Sequence, residues 1–540
     1  MTASPKRDKF MRKPPHFVDH RMNHIFLYGP PGSGKSSVGR VLASNLEMEF
    51  VDLDAEIVAF TGQTIAQIMA EWGESGFRDI ESTALRRVTK GPPRVIALGG
   101  GALLRAQNRS HAESKGVVIA LTAQMETLQE RIAQDVVERP LLADDLPGKL
   151  ARLLERRSDH YRSYDLRVAT DGLTPEDVAW YIQTMIGRFR VRGMGQPYDV
   201  VVQPGGFDTL PDWLRRCGLD DGPMVIVSDE NVAPLYAERL MKLLRRAGIY
   251  STLVTIPAGE QYKTLETVTA LWRKFLTMGL DRKSTLLALG GGVVGDLAGF
   301  AAATFMRGMN WVVLPSTLLA MVDASMGGKT GFDLPEGKNL VGAFYPPKLV
   351  FANPFMLSTL ADAELRSGLA EVVKHGVIAD PALFTLCSGG LEAVKDDVTQ
   401  IVQRAMAVKV QIIEVDPYEK GIRAALNFGH TVGHAIEKVS DYRIRHGEAV
   451  SMGMVAEARL AERLWVCSKG LANRIAATLT SLGLPTEIPP DLPREALLAA
   501  MKHDKKRKGG VVHFALPEEI GKMQVGVALD DPSLVFEERK

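Results

Sequence analysis

Cysteine is scarce in this sequence. Its 540 residues hold only Cys217, Cys387 and Cys467, far apart and without any Cys-x-x-Cys spacing. That excludes a disulfide framework and a cysteine-built zinc site, and it fits a reducing cytoplasm. Long apolar runs are missing as well, and no window approaches the length of a membrane span. The stretch Met1 to Met22 is rich in Lys, Arg and Pro but lacks the apolar run of a signal peptide, so residues 1–22 read as a disordered tail. Excess charge of either sign is absent. Lys and Arg number 65 against 64 Asp and Glu, and a net charge of +1 gives no hint of a nucleic-acid or acidic partner. No internal repeat occurs.

What is present is the composition of an ordinary globular chain, 46% apolar and 24% charged, at a length that calls for two or three domains. From Ile25 onward, short apolar runs (Ile25 to Tyr28, Phe50 to Leu53, Val95 to Leu98, Val117 to Leu121) alternate with amphipathic stretches, which predicts a parallel sheet covered by helices. A last helix over Thr174 to Phe189 leads into the polar, glycine-bearing residues 190–197, read as a linker with little to bury. A second strand series follows: Tyr198 to Val202, Met224 to Val227, Thr252 to Ile256, Thr285 to Leu289 and Trp311 to Leu314. Beyond Pro354, helical patterns dominate. The expected organisation is an α/β P-loop domain over 23–189, a Rossmann-like α/β domain over 198–353 and a mainly α-helical domain over 354–540.

The first strand runs into Gly29-Pro30-Pro31-Gly32-Ser33-Gly34-Lys35-Ser36, a complete P-loop between a strand and a helix. Backbone N–H groups there cradle phosphates, Lys35 reaches the outer ones and the Ser36 hydroxyl can ligate Mg²⁺. The next strand ends in Asp52-Leu53-Asp54, which puts two carboxylates on one side of it beside the P-loop. Phe77-Arg78 and Glu81 follow on a helix, then Gly99-Gly100-Gly101, Arg139-Pro140-Leu141-Leu142, and Arg157 near Tyr161-Arg162. In this order the elements resemble shikimate kinase along roughly residues 22 to 187. The resemblance implies ATP contacts from Gly32, Ser33, Gly34, Lys35, Ser36, Ser37 and Arg131, the last lying against adenine. Mg²⁺ would lie between Ser36 and Asp52, and Asp54 would orient or deprotonate the acceptor hydroxyl. Arg78 and Arg157 would clamp the shikimate carboxylate beside Gly99, Gly100 and Gly101, and Arg139 would close over the phosphates from a lid.

In the second half, the strand Thr285 to Leu289 ends in Gly290-Gly291-Gly292-Val293-Val294-Gly295-Asp296 at a helix start, a turn suited to a pyrophosphate. Asp229 closes an earlier strand where an acid can take ribose hydroxyls. The densest chemistry is in Asn427-Phe428-Gly429-His430-Thr431-Val432-Gly433-His434 and His446-Gly447-Glu448, with Glu371 and Lys374 in a helical run upstream. Helical spacing alone would pair His430 with His434 as metal ligands.

These stretches, with Leu289 to Gly308, Leu314 to Lys329 and Gly337 to Tyr345, resemble 3-dehydroquinate synthase from about Tyr198 to Glu519. The resemblance selects Glu371, His430 and His446 as ligands of Zn²⁺ or Co²⁺ and makes His434 a substrate-phosphate or proton-transfer contact. It implies an NAD⁺ site of Asp229, Glu260, Lys263, Gly291, Gly292, Val293, Asp296, Ser316, Thr317, Lys338 and Thr359. The substrate DAHP, a seven-carbon sugar-acid phosphate, would meet Asp323, Lys329, Asn339, Lys374, Lys409, Arg423, Asn427, His434 and Lys505 or Lys506. Arg307 would enter from a neighbouring subunit of a homo-oligomer. Lys329, Lys374, Arg423, Asn427 and His434 would be the residues of the chemistry, as Asp54 and Arg139 would be in the first half. After Thr359 this chain reads Leu360-Ala361-Asp362-Ala363-Glu364 where the family usually has Leu-Pro-x-Arg-Glu. The implied reaction oxidises a ring alcohol, eliminates phosphate and returns the hydride, so NAD is not consumed. Competing readings are another sugar-phosphate cyclase, a metal-dependent polyol dehydrogenase, which the lysine-rich pocket disfavours, and a silent module in one half.

Overall fold

A computed structural model describes residues 24–134, 145–505 and 511–537, without the side chains of 503–505. The expected tail 1–22, Arg139, Lys506 and the side chain of Lys505 lie outside the described residues. The chain divides into two compact units between Phe189 and Arg190.

The first unit runs β1 (His24–Tyr28), α1 (Lys35–Leu46), β2 (Glu49–Asp52), α2 (Leu53–Thr61), α3 (Ile65–Val88), β3 (Arg94–Ala97) and α4 (Ala106–Lys115). It continues through β4 (Gly116–Thr122), α5 (Met125–Ala133), α6 (Leu146–Arg162), β5 (Arg167–Ala169) and α7 (Pro175–Ile186). The sheet order is β2-β3-β1-β4-β5, with every pairing parallel. Strands buried on both faces read as unbroken apolar runs, and β1 is buried at every position. One face packs on Ile57, Ile68, Phe77 and Leu85, the other on Leu42, Ala43, Val178 and Ile182.

Two local expectations change. Asp52 ends β2 and its side chain accepts from the N–H groups of Asp54 and Ala55, capping α2. Asp54 therefore sits in the first turn of a helix instead of beside Asp52 on a strand, because an Asp at this point satisfies helix N–H groups that a strand would leave to a neighbour. The last helix stops at Ile186, where Gly187 takes a left-handed conformation, φ 64°. Residues Arg188–Val191 then form a strand, β6, so the start of the expected linker is ordered.

The second unit has β7 (Tyr198–Val202), α8 (Leu210–Arg216), β8 (Met224–Asp229), α9 (Ala233–Arg246), β9 (Ser251–Ile256) and α10 (Leu265–Thr277). Next come β10 (Thr285–Gly290), α11 (Gly292–Thr304), β11 (Asn310–Pro315), the hairpin β12 (Lys329–Leu334) and β13 (Gly337–Phe344), and β14 (Leu349–Ala352). The sheet order is β6-β7-β14-β11-β10-β8-β9, parallel from β7 to β9. Strand succession reverses between β8 and β10, so the carboxyl ends of these two strands flank the crevice where open α/β sheets take ligands.

Helices α12 (Asp362–Ala379), α13 (Pro381–Ser388), α14 (Leu391–Asp396), α15 (Val398–Val415), α16 (His430–Val439), α17 (His446–Arg463), α18 (Leu471–Ser481) and α19 (Arg494–Lys505) follow. A hairpin of β15 (Val512–Glu519) and β16 (Lys522–Leu529) follows these helices in the expected mainly α-helical region. Among the described residues no helix is long and apolar enough to cross a membrane.

Candidate active sites

In the first unit the P-loop joins β1 to α1. Gly29 (φ 146°) passes so close to β4 that a Cβ there would stand 2.1 Å from the Leu121 carbonyl oxygen, which leaves no room for another residue. Lys35 Nζ donates back to the Gly29 and Pro30 carbonyls at 3.0 and 2.8 Å, and the Ser33 hydroxyl donates to Pro30 at 2.8 Å. Ser36 Oγ donates to Asp52 Oδ2 at 2.7 Å, so the hydroxyl and the carboxylate expected to share Mg²⁺ meet across α1 and β2. Ser37 is exposed in the first turn of α1.

A second cluster gathers around the glycine turn after β3. Arg157 Nη1 and the Tyr161 hydroxyl both donate to the Gly100 carbonyl, at 3.2 and 2.7 Å. A Cβ on Gly101 would lie 2.4 Å from Arg78 Nη2, and one on Gly99 would lie 3.0 Å from both Asp54 Oδ1 and Glu81 Oε1. Arg78, Asp54, Arg157 and the three glycines are thus brought together. Glu81 belongs with them and received no role from sequence, although its spacing of three from Arg78 on a helix was the available signal. It is fully buried, accepts from Arg78 Nη1 at 2.8 Å through Oε2, and leaves Oε1 without a hydrogen bond. Burial pushes its carboxyl up to about 7 against the pull of Arg78, with Asp54 adding to the rise. Arg131 is turned to Thr170, donating to its hydroxyl at 2.9 Å and its carbonyl at 2.8 Å.

In the second unit, α12, α16 and α17 place Glu371, His430 and His446 so that their ligating atoms lie within 4.8 Å of one another. Glu371 Oε1 is 3.4 Å from Nε2 of both histidines, is buried and makes no hydrogen bond. The outer nitrogens are held: His430 Nδ1 lies 3.2 Å from the Phe428 carbonyl and His446 Nδ1 lies 3.3 Å from Glu437 Oε2. An orphaned carboxylate oxygen facing two oriented imidazoles is a donor set that fits a divalent metal, with positions left for substrate oxygens. His434 is exposed on the next turn of α16, its ring 5.2 Å from that of His430, and it shares a second set with Glu437 and His446.

Around this set, Lys374 ion-pairs with Glu371 Oε2, and Lys409 Nζ donates to the Asp323 carbonyl at 2.6 Å and to its carboxylate at 2.5 Å. Burial opposes ionising Glu371, yet Lys374 and the two histidines hold its carboxyl well below the usual range. Glu419 links two further expected residues, accepting from Lys329 Nζ at 3.1 Å and from Asn427 Nδ2 at 2.9 Å. Arg423 is buried and donates to the Pro417 carbonyl.

On the dinucleotide side, the Gly291-Gly292 turn opens α11, with Val293 and Asp296 in its first turns. Lys263 Nζ bridges Asp296 Oδ2 at 2.7 Å and Asn339 Oδ1 at 2.6 Å, and Lys338 pairs with Glu260 at 3.6 Å. Ser316 donates its N–H to Gly290, while its hydroxyl is buried and unpartnered. Thr317 Oγ1 accepts from the Ala320 N–H, Thr359 Oγ1 lies 2.6 Å from the Tyr236 hydroxyl, and Asp229 closes β8. Arg307 is exposed at a left-handed φ of 67° and ion-pairs with nothing among the described residues.

Sequence reasoning also passed over Glu437, Glu419, Glu457 and His375. Buried Glu457 of α17 accepts from the N–H groups of Gly429 and Val432 at 2.7 and 3.2 Å, fixing the start of α16 and with it His430. His375 is fully buried near Asp323 and Glu371 with both ring nitrogens unpartnered among the described residues, and burial followed by Lys374 lowers its pKa to about 3.

The two sites define a P-loop phosphotransferase unit followed by an α/β and helical unit of the metal- and dinucleotide-dependent cyclase class. Residues 31–186 match the family model of shikimate kinase, residues 253–367 that of the 3-dehydroquinate synthase N-terminal part, and residues 368–507 that of its C-terminal part. The 3-dehydroquinate synthase of Synechocystis sp. is 46% identical over 342 residues, which is 62% of this chain and 94% of that protein. That of Pelobacter propionicus is also 46% identical, over 60% of this chain and 91% of its own length. Among solved structures, a 2-epi-5-epi-valiolone synthase from Streptomyces hygroscopicus with NAD⁺ and Zn²⁺ bound is 29% identical, with a TM-score of 0.57 over 62% of this chain and 94% of its own. A 2-deoxy-scyllo-inosose synthase complexed with carbaglucose-6-phosphate, NAD⁺ and Co²⁺ is 25% identical, with a TM-score of 0.59 over 64% and 98%. The chain belongs to the 3-dehydroquinate synthase family and carries a shikimate kinase domain ahead of it.

Proposed function

We propose that the chain is a bifunctional enzyme of aromatic biosynthesis that phosphorylates shikimate with ATP and converts DAHP to 3-dehydroquinate and phosphate. In the first unit, Lys35 and the loop N–H groups receive the phosphates, and Ser36 with Asp52 takes Mg²⁺. Asp54 orients or deprotonates the acceptor hydroxyl, and Arg78 with Arg157 takes the carboxylate. Catalysis of this kind is positioning plus charge stabilisation, and it suits a site built from fixed cations with carboxylates beside them.

In the second unit, Glu371, His430 and His446 would hold a divalent ion, which would supply a Lewis acid, and bound NAD⁺ would supply a hydride acceptor. The remaining work belongs to the chain itself. Lys374, Lys409, Arg423 and Lys329 receive the carboxylate and phosphate, Asn427 and Asp323 the hydroxyls, and His434 stands where it can pass a proton. Gly291, Gly292 and Val293 leave room for a pyrophosphate at the start of α11. The exposed Arg307 fits a role in a neighbouring subunit's site, and the free cysteines Cys217, Cys387 and Cys467 fit a cytoplasmic setting.

The observation that carries the synthase reading is a chain of lysines leading from the ligand set, Lys374 paired with Glu371 and Lys409 within electrostatic reach of both Lys374 and Lys329, because a polyol dehydrogenase has no anion to bind there. Cofactor accounting tests it. With excess DAHP and trace NAD⁺, phosphate release should run through many turnovers per cofactor while NADH absorbance stays flat. Stoichiometric NADH build-up, or good oxidation of glycerol, would sink the reading. Turnover of another seven-carbon sugar phosphate in preference to DAHP would move the chain to a neighbouring cyclase.

A further inference from the structure

The polar residues 190–197 are built into the second unit. Val191 is fully buried and Met194 nearly so. The N–H groups of Arg192 and Gly193 both donate to Glu414 Oε1, the second at 3.4 Å, at the last turn of α15. A methyl on Gly193 would stand 3.3 Å from Pro417 Cγ and 3.4 Å from the Glu414 carbonyl oxygen, so the segment lies directly on the turn that follows this helix.

That turn, residues 416–421, is closed from within by Asp416, whose carboxylate accepts from the N–H groups of Lys420, Gly421 and Arg423 at 2.9, 2.7 and 3.0 Å. It also touches the substrate shell. Pro417 accepts from the Arg423 guanidinium, and Glu419 holds Lys329 and Asn427. Val415 and Tyr418 are exposed beside it, so apolar burial does little to order the turn and hydrogen bonds must do it.

We propose that the segment joining the two halves is a positioning element of the synthase site: through Glu414 it fixes the turn 416–421 and thereby holds Arg423, Lys329 and Asn427 in place for the anionic substrate. This rests on the assignment of those three side chains to DAHP. Glu414 touches no reacting atom and acts only through the turn.

The test is Glu414→Ala and Glu414→Gln in the full chain. A charged hydrogen-bond acceptor serving two N–H groups is lost in the first and an acceptor is kept in the second. Glu414→Ala should therefore raise KM for DAHP about five- to twentyfold, and Glu414→Gln should recover most of it. Binding of NAD⁺ and shikimate phosphorylation should be unchanged in both. Hydrogen exchange of residues 416–427, read without substrate, should quicken in Glu414→Ala. A KM within twofold of wild type, unchanged exchange, or equal damage in the two variants would overturn the proposal. A wild-type chain that ignores DAHP would instead refute the functional reading, and the exchange measurement would still decide whether the segment orders the turn. If Glu414→Ala loses both activities together, Gly193→Ala, whose methyl presses on Pro417, takes its place in the same measurements.

Discussion

Replacing His446 by Ala should empty the metal site, and replacing His434 should not. His446 Nε2 faces Glu371 Oε1 at 3.4 Å while its Nδ1 is held by Glu437 at 3.3 Å, so both ring nitrogens are committed. His434 groups with Glu437 and His446, whereas Glu371 groups with His430 and His446. The magnitudes follow from this geometry. Loss of an outer partner that orients a ligating imidazole costs about 10- to 100-fold in metal affinity, or about 1.4 to 2.8 kcal/mol. Glu437→Gln should fall in that range. Burial works against ionising Glu437, but its hydrogen bond with His446 holds the carboxyl below its ordinary value, so the full anion orients the ring at neutral pH. His446→Ala removes the ligand itself and should cost at least about 100-fold. His434→Ala, at an exposed position off the ligand set, should change affinity by about twofold at most while slowing turnover. Metal content after gel filtration, followed by competition with a chromogenic chelator, measures all three. Metal lost from His434→Ala but retained by His446→Ala would refute the assignment, and equal affinity in Glu437→Gln and wild type would refute the orienting role.

Other expectations are as direct. Lys35→Ala should abolish shikimate phosphorylation and spare DAHP turnover, with His430→Ala doing the reverse; a folded single variant that loses both would show the two sites to be coupled. Glu81 has its pKa raised on folding to about 7 from 4.5, so between those values the folded chain holds a proton that the unfolded chain has lost. Stability of the first unit should accordingly fall as pH rises through that window, and Glu81→Gln should flatten the trend in calorimetry at pH 5 and 8; identical pH dependence in both proteins would contradict it. Gly101→Ala should raise KM for shikimate without affecting ATP binding, because its methyl would displace the Arg78 guanidinium. Unchanged shikimate kinetics would show that Arg78 moves freely.

Motifs with contiguous residues were legible in the sequence: the P-loop, the glycine turns after β3 and β10, and both strand series. The short β5, β6 and β14 escaped because runs of three or four residues carry little periodicity, and the hairpin strands, six to eight residues long, escaped because Gly or Pro interrupts the pattern of each. Asp54 was misplaced because Asp52 behaves as a helix cap, a choice decided by two N–H groups just downstream. How the linker packs was not legible in its composition. Residues 190–197 are polar enough to look free, and nothing local signals that Arg192 and Gly193 meet Glu414 more than two hundred positions later. The same holds for Glu457, which lies 28 residues from the Gly429 N–H it caps, and for Glu419, which lies 90 from Lys329. Acids that hold a site's cations and helix ends are indistinguishable in sequence from surface charge until the fold brings their partners to them.

These supporting acids explain how so many cations share one pocket. A cluster of unpaired lysines would repel itself. Here Lys374 is paired with Glu371, Lys409 with Asp323 and Lys329 with Glu419. Each pair sets a counter-charge beside its lysine and aims it, so less ordering remains to be done when an anionic substrate binds. The arrangement also limits affinity, since substrate oxygens must compete with resident carboxylates for the same donors. For a reaction that releases phosphate from the pocket where it was bound, that balance matters: bare lysines would hold the leaving anion, whereas a carboxylate within reach of each Nζ offers the lysine another partner and lets the anion go.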